Sequence, residues 1–117
     1  VVVRTDTMSM AHDRCRLGGK PFLFTSSGLG DHLVDPPRRG LFHEWFAGDA
    51  ESWRERQDAF HSHRWGDRPD LSVCMSRADA RTVSLTAVEV EPAAVRMSYH
   101  AGPPCESAED TLVELPR

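Results

Sequence analysis

Lysine is nearly absent from this chain: Lys20 is the only one in 117 residues, and arginine carries almost all the positive charge. Arginine and acidic residues are interspersed around a formal net charge of −4, and no basic block stands out, which argues against a general nucleic-acid surface. Long apolar runs are missing too, so no segment is suited to crossing a bilayer and no membrane partner is expected. The three cysteines, Cys15, Cys74 and Cys105, are far apart and form no CxxC pair. That pattern suggests neither a disulfide framework nor a zinc knuckle, and it points to a reducing, cytoplasmic setting. There is no internal repeat, no glycine-rich loop with phosphate-cradle spacing, and no basic segment leading into an apolar leader. The chain opens Val1-Val2-Val3 without an initiator Met, as expected of a processed product, a trimmed chain or a fragment.

What is present is enough for one globular core. The length suits a single domain, and apolar residues at 39% with charged residues at 27% match soluble averages. The organising stretch is Lys20-Pro-Phe-Leu-Phe-Thr-Ser-Ser-Gly-Leu-Gly-Asp31. Phe22, Leu23 and Phe24 have the bulk of a buried strand, and Thr25, Ser26, Ser27, Gly28 and Gly30 read as a turn. Hydroxyls at a strand end can hydrogen-bond a ligand, and glycine lets backbone approach it closely. The plainer alternative is that Ser26 and Ser27 only cap the turn.

Residues 1–14 alternate loosely, with Met8 and Met10 around Ser9 and with His12 on a strand face, as in a half-buried strand. Gly18-Gly19 before Pro21 signals a turn, so the segment before it and residues 21–26 form an expected hairpin, with Asp13 and Arg14 solvated. Asp35 is placed to cap a helix whose first turn holds Pro36 and Pro37. Leu41, Phe42, Trp45 and Phe46 form its amphipathic face, and Gly48 stops it. Residues 50–63 continue as a second helix, with Trp53 and Phe60 on a narrow buried stripe. His61 and His63 would diverge by about 200° on a helix, which disfavours a shared metal.

Leu71 to Met75 reads as a short strand with Val73 and Cys74 in the core, Cys74 as an inert thiol. Residues 78–81 read as a turn. Thr82 to Val90 alternates, with Val83, Leu85 and Ala87 on one face and a phase slip at Ala87-Val88 that suggests a bulge. Glu91-Pro92 turns the chain, and Val95, Met97 and Tyr99 then alternate with Arg96, Ser98 and His100 in a returning strand. The order is two strands, two helices and about three strands: an α+β plan, with antiparallel strands and two consecutive helices on one face. Residues 1–104 form the expected domain, and residues 105–117 a tail in which Leu112, Val113 and Leu115 dock weakly.

Three segments together, Phe-Leu-Phe-Thr-Ser-Ser-Gly-Leu-Gly-Asp, Pro-Pro-Arg-Arg-Gly-Leu-Phe and Ser-Val-Cys-Met-Ser-Arg-Ala-Asp-Ala-Arg-Thr-Val-Ser, resemble the C-terminal half of the NRDE proteins, the family that includes the transport and Golgi organisation proteins. The likeness spans roughly residues 20–104. It implies an αββα N-terminal-nucleophile hydrolase-like sandwich, in which an N-terminal Cys attacks an amide and its α-amine moves the proton. That Cys and the Asn-Arg-Asp-Glu segment have no counterpart here, and Val1 has no nucleophilic side chain. The chain is then expected to supply a sheet, helices and binding groups but no catalytic residue.

Under that resemblance the substrate-binding candidates are Thr25, Ser26 and Ser27, with Arg77 and Ser84 as secondary ones. Ser26 or Ser27 would donate to a carbonyl or carboxylate, and Arg77 would grip an acid group bidentately. The alternative for Arg77 is an ordinary surface or hairpin charge. The expected partner is a small-molecule amide substrate, and no cofactor is expected. A non-enzymatic α+β binding or interaction module remains the alternative function. A metal or haem carrier using His61, His63, His100 and Cys105 is weaker, because no local spacing fits. Half a sandwich would also leave one sheet face uncovered, so exposed Val83, Leu85, Val95 and Met97 are expected to drive self-association.

Overall fold

The computed structural model describes residues 19–117, together with the backbone of residues 2–5 and 10–13. Strand β1, Val2–Thr5, pairs antiparallel with β2, Met10–Asp13, in the register Val2 to Asp13 and Thr5 to Met10. The hairpin expected between this region and residues 21–26 is therefore replaced by one within residues 2–13. Residues 21–27 form no strand, and Phe22 and Phe24 are more than half exposed. Bulk alone does not bury a segment that has no ladder to join. The readings made for Met8, Arg14, Cys15 and Gly18, and for the side chains of Met10, His12 and Asp13, lie outside the described residues.

Helix α1, Asp31–Trp45, begins earlier than expected, straight out of the glycine turn. Gly30 precedes it with φ 108°, a backbone conformation natural to glycine and costly for other residues. The Asp31 carboxylate accepts from the Ser27 N–H at 3.0 Å, and this negative charge sits where the helix dipole favours it. Pro36 and Pro37 thus lie inside the helix, where their nitrogens cannot donate to the carbonyls of His32 and Leu33. The i,i+4 pair of Asp35 and Arg39 spans that weak point with Arg39 Nε donating at 2.9 Å. Val34, Arg38 and Phe42, four apart, form the buried stripe.

Gly48, at φ 122°, and a single 3₁₀ turn, Ala50–Ser52, lead into α2, Trp53–Ser62. Arg56 of α2 ties the two helices by donating to the carbonyls of Trp45 at 2.9 Å and Ala47 at 3.2 Å, satisfying backbone oxygens at the end of α1. Between the helices the Phe42 and Phe46 rings stack at 4.6 Å, and Phe60 meets Phe42 edge-on at 5.8 Å. Burial of Phe42 and Phe60 contributes about 1.5–3 kcal/mol for each ring.

Residues 63–82 form a loop fastened by polar groups. The strand expected at Leu71 to Met75 is absent; only an isolated bridge joins Ser76 and Arg81. Fully buried Ser72 accepts from the Trp65 N–H and donates to the Arg68 carbonyl, both at 2.9 Å. Thr82 Oγ1 accepts from the Met75 N–H at 2.9 Å. Cys74 is buried as expected, but it is not a free thiol: it is bridged to Cys105. The reducing setting inferred from unpaired cysteines loses that support.

The main sheet is antiparallel, in the order β3, Leu85–Val90, β4, Ala94–His100, and β5, Asp110–Pro116. Residues 82–84 precede β3 outside the sheet. The pairing of β3 with β4 runs unbroken through Ala87 to Ser98 and Val88 to Met97, so the suggested bulge is absent. The expected tail contains β5, which pairs with β4 along its whole length. Two helices with a three-stranded antiparallel sheet make the fold α+β.

Candidate functional site: an arginine-lined corner

The Thr25, Ser26, Ser27, Gly28 turn meets two arginines from distant parts of the chain. Arg38 projects from the buried stripe of α1 and is only 7% exposed. Its Nε donates to the Leu71 carbonyl at 2.9 Å and its Nη2 to the Ser72 carbonyl at 2.8 Å. Its Nη1 donates to Thr25 Oγ1 at 2.7 Å, with a longer contact of 3.4 Å to the Ser26 carbonyl. None of these acceptors is charged. Burial pushes the Arg38 guanidinium down from its ordinary range, and it stays a cation held by neutral oxygens.

Arg77 approaches the same turn at Gly28. Its Nη2 lies 3.2 Å from the point where a Cβ on Gly28 would stand, so a side chain there would press on the guanidinium. The side chain is 19% exposed and pairs with exposed Asp79, whose Oδ1 lies 2.7 Å from Nε. That contact is an ion pair without hydrogen-bond alignment: among the described residues, Nε and Nη1 of Arg77 are buried with no hydrogen-bond acceptor. The Arg77 N–H donates to the Ala80 carbonyl at 2.9 Å, closing a turn at the place expected.

The candidates therefore separate. Thr25 is committed to Arg38. Ser27 Oγ accepts from the Leu29 N–H at 3.2 Å, a turn-capping role that leaves its own proton to donate. Ser26 is exposed, and its hydroxyl has no hydrogen bond among the described residues. Ser84 is half-buried ahead of β3 and shares no hydrogen bond with the turn or Arg77 among the described residues. Arg38 was not singled out from sequence. The available signal was its four-residue spacing from Val34 and Phe42, which puts it on the buried face.

The histidines and Cys105 do not converge. Cys105 is bridged, His100 Nδ1 lies 2.7 Å from Asp110 Oδ1, and His63 sits between the rings of Trp45 and Trp65 at 5.3 and 4.9 Å. Burial lowers the His61 pKa from its ordinary value, with Asp58 opposing. Among the described residues no group of three or more His, Cys, Asp or Glu is placed to hold a metal ion. A separate open depression of about 430 Å³ is lined by Glu44, Trp45, Ala47, Arg56 and Ala59, none of which touches the corner through a described hydrogen bond. No described helix is long and apolar enough to cross a membrane.

What the corner can do is bind an anion or a carbonyl oxygen: a planar cation with unmatched N–H groups stands beside the Gly28 end of the Thr-Ser-Ser-Gly turn. Compared with family models, curated proteins and solved structures, the chain matches none.

Proposed function

We propose that this chain holds a small molecule by a carboxylate or carbonyl group at the corner of Arg77 and residues 25–28, as the substrate-binding portion of an NRDE-like amide hydrolase. The observation that carries the reading is Arg77, whose buried Nε and Nη1 have no hydrogen-bond acceptor among the described residues. A buried guanidinium N–H without an acceptor costs free energy, so a ligand that supplies one is favoured there. Asp79 is the internal competitor; an arriving acid group displaces its exposed carboxylate and takes the fork of Arg77 in a bidentate grip.

In the hydrolase, Ser26 or Ser27 donates to the amide or acid oxygen, and a thiolate with a free α-amine carries out the attack. That nucleophile is not among this chain's cysteines: Cys74 and Cys105 are joined to each other, and Cys15, like them, is internal and has no free α-amine. The same bridge supports the second reading, a binding module without turnover. A cytoplasmic setting would require the pair to persist as thiols there.

Titration with a simple N-acyl amino acid, followed by calorimetry, tests the corner. Asp79→Asn should tighten binding by removing the competitor, and Arg77→Gln should abolish it. Equal affinity in Asp79→Asn and the parent protein would sink the assignment. With the chain joined to a segment that begins in Cys, release of amine from such a probe, blocked by thiol alkylation, separates the hydrolase from the binding module.

A further inference from the structure

The β3–β4–β5 sheet is turned the wrong way round for a solvated surface. Cross-strand register sorts its residues into two faces. One face carries the rows Val90, Val95, Leu115; Val88, Met97, Val113; and Thr86, Tyr99, Thr111. These nine positions include no charge. The other face carries Glu89, Arg96 and Glu114 in one row, with His100 and Asp110 in another. An isolated sheet packed on one side would bury the apolar face and solvate the charged one.

Among the described residues the apolar face is the open one. Val88 is 59% exposed, Val90 63% and Leu115 60%, and Met97, Tyr99 and Val113 are each exposed by about two-fifths. Along β3 the charged-face positions 85, 87 and 89 are consistently more buried than 86, 88 and 90. Along β3 and β4 the charged face looks toward the rest of the chain, with Arg54 of α2 paired to Glu89 at 2.6 Å and the Glu106 carbonyl 3.1 Å from His100 Nε2, while β5 at the edge is exposed on both faces.

We infer that two copies of this chain associate through this face, apolar sheet on apolar sheet, to make a six-stranded sandwich. The six exposed side chains leave on the order of 500 Å² of apolar surface open per copy, the size of patch that marks an interaction site. Two copies together remove about 1,000 Å², the lower limit of a specific interface. A charged partner would find nothing to pair with on a face without charges, whereas an identical face complements it fully. A two-fold axis lying midway between the two sheets, opposite the central strand, sets Met97, the middle of the three-by-three grid, at the centre of the interface. Twisted sheets of this kind pack about 10 Å apart at roughly −30°.

Sedimentation equilibrium of the full chain tests this. The parent protein should sediment as a dimer that dissociates on dilution, and Met97→Lys should raise the dissociation constant by roughly a hundredfold or more. Val113→Thr keeps the β-branched shape and should weaken association by about tenfold, so the test stands even where Met97→Lys fails to fold. Leu112→Lys, on the opposite face of β5, should leave association unchanged. A parent protein that remains monomeric at every concentration overturns the inference, as does an unchanged dimer in Val113→Thr or equal disruption by Leu112→Lys.

Discussion

Arg38 Nη1 donates to Thr25 Oγ1 at 2.7 Å, so the first hydroxyl of the Thr-Ser-Ser turn serves a buried cation of α1 and faces no ligand. The pair fixes the corner: it pins the turn to the helix while the rest of the guanidinium pins the helix to residues 71 and 72. Thr25→Val should cost about 1–3 kcal/mol, because it keeps the shape and strands a buried charged donor. Thr25→Ser keeps the acceptor and should stay within about 1 kcal/mol of the parent. Urea unfolding midpoints check both, and equal stability of Val and Ser variants would refute the linkage.

Gly30 makes a separate prediction. With φ at 108° and an added Cβ only 2.7 Å from the His32 ring, Gly30→Ala places an L side chain in a conformation that disfavours it. The expected loss is about 1–2 kcal/mol, and each kcal/mol lowers Tm by roughly 4–8 °C in a domain of this order of size. Gly19→Ala is the control, since among the described residues nothing lies within 4 Å of its added Cβ. A Tm for Gly30→Ala no lower than for Gly19→Ala would show that the turn relaxes at no cost.

How far the sequence could be read follows from where its local signals agreed with the fold. The alternation of Val95, Met97 and Tyr99 with Arg96, Ser98 and His100 is strand β4, and Trp53 and Phe60 mark α2, because each pattern matches its element's own period. Strand β5 was hidden: Leu112-Val113-Glu114-Leu115 alternates poorly, and its pairing comes from β4. The start of α1 was misread because Pro36-Pro37 is cheapest in a first turn, yet here stands one turn further in. The corner was half legible. Hydroxyls and glycines announced a turn, but the approach of Arg77 to Gly28 and the burial of Arg38 are tertiary facts. The bridge between Cys74 and Cys105, 31 residues apart, likewise had no local signature.

Stability should depend on pH through His100. Its hydrogen bond to the Asp110 side chain raises its pKa above the usual 6.5, with the Glu106 and Pro103 carbonyls acting in the same direction and desolvation opposing. A group whose folded pKa is raised stabilises fully below its unfolded value and loses that contribution as pH climbs through the folded one. The β4–β5 pairing should therefore weaken as pH rises above about 6.5. Tm measured from pH 6 upward in the parent and in His100→Gln checks this. A parent protein whose Tm falls no more steeply than the variant's would remove His100 from the account.

The Cys74–Cys105 bridge joins the buried loop after α2 to the exposed segment leading into β5, where Ser62 Oγ also donates to the Pro104 carbonyl at 2.9 Å. Closing a loop across 31 residues restricts the unfolded chain by about 3–4 kcal/mol in the chain-entropy treatment. Reduction should lower unfolding stability by that amount. Cys105→Ser should match the reduced parent and be insensitive to reductant. Its exposed position makes serine there easy to accommodate, whereas Cys74→Ser also places a hydroxyl in the core and should cost more. Urea unfolding with and without dithiothreitol decides it. If the oxidised parent and Cys105→Ser unfold at the same midpoint, the bridge contributes nothing to stability and the segment before β5 is held by its hydrogen bonds alone.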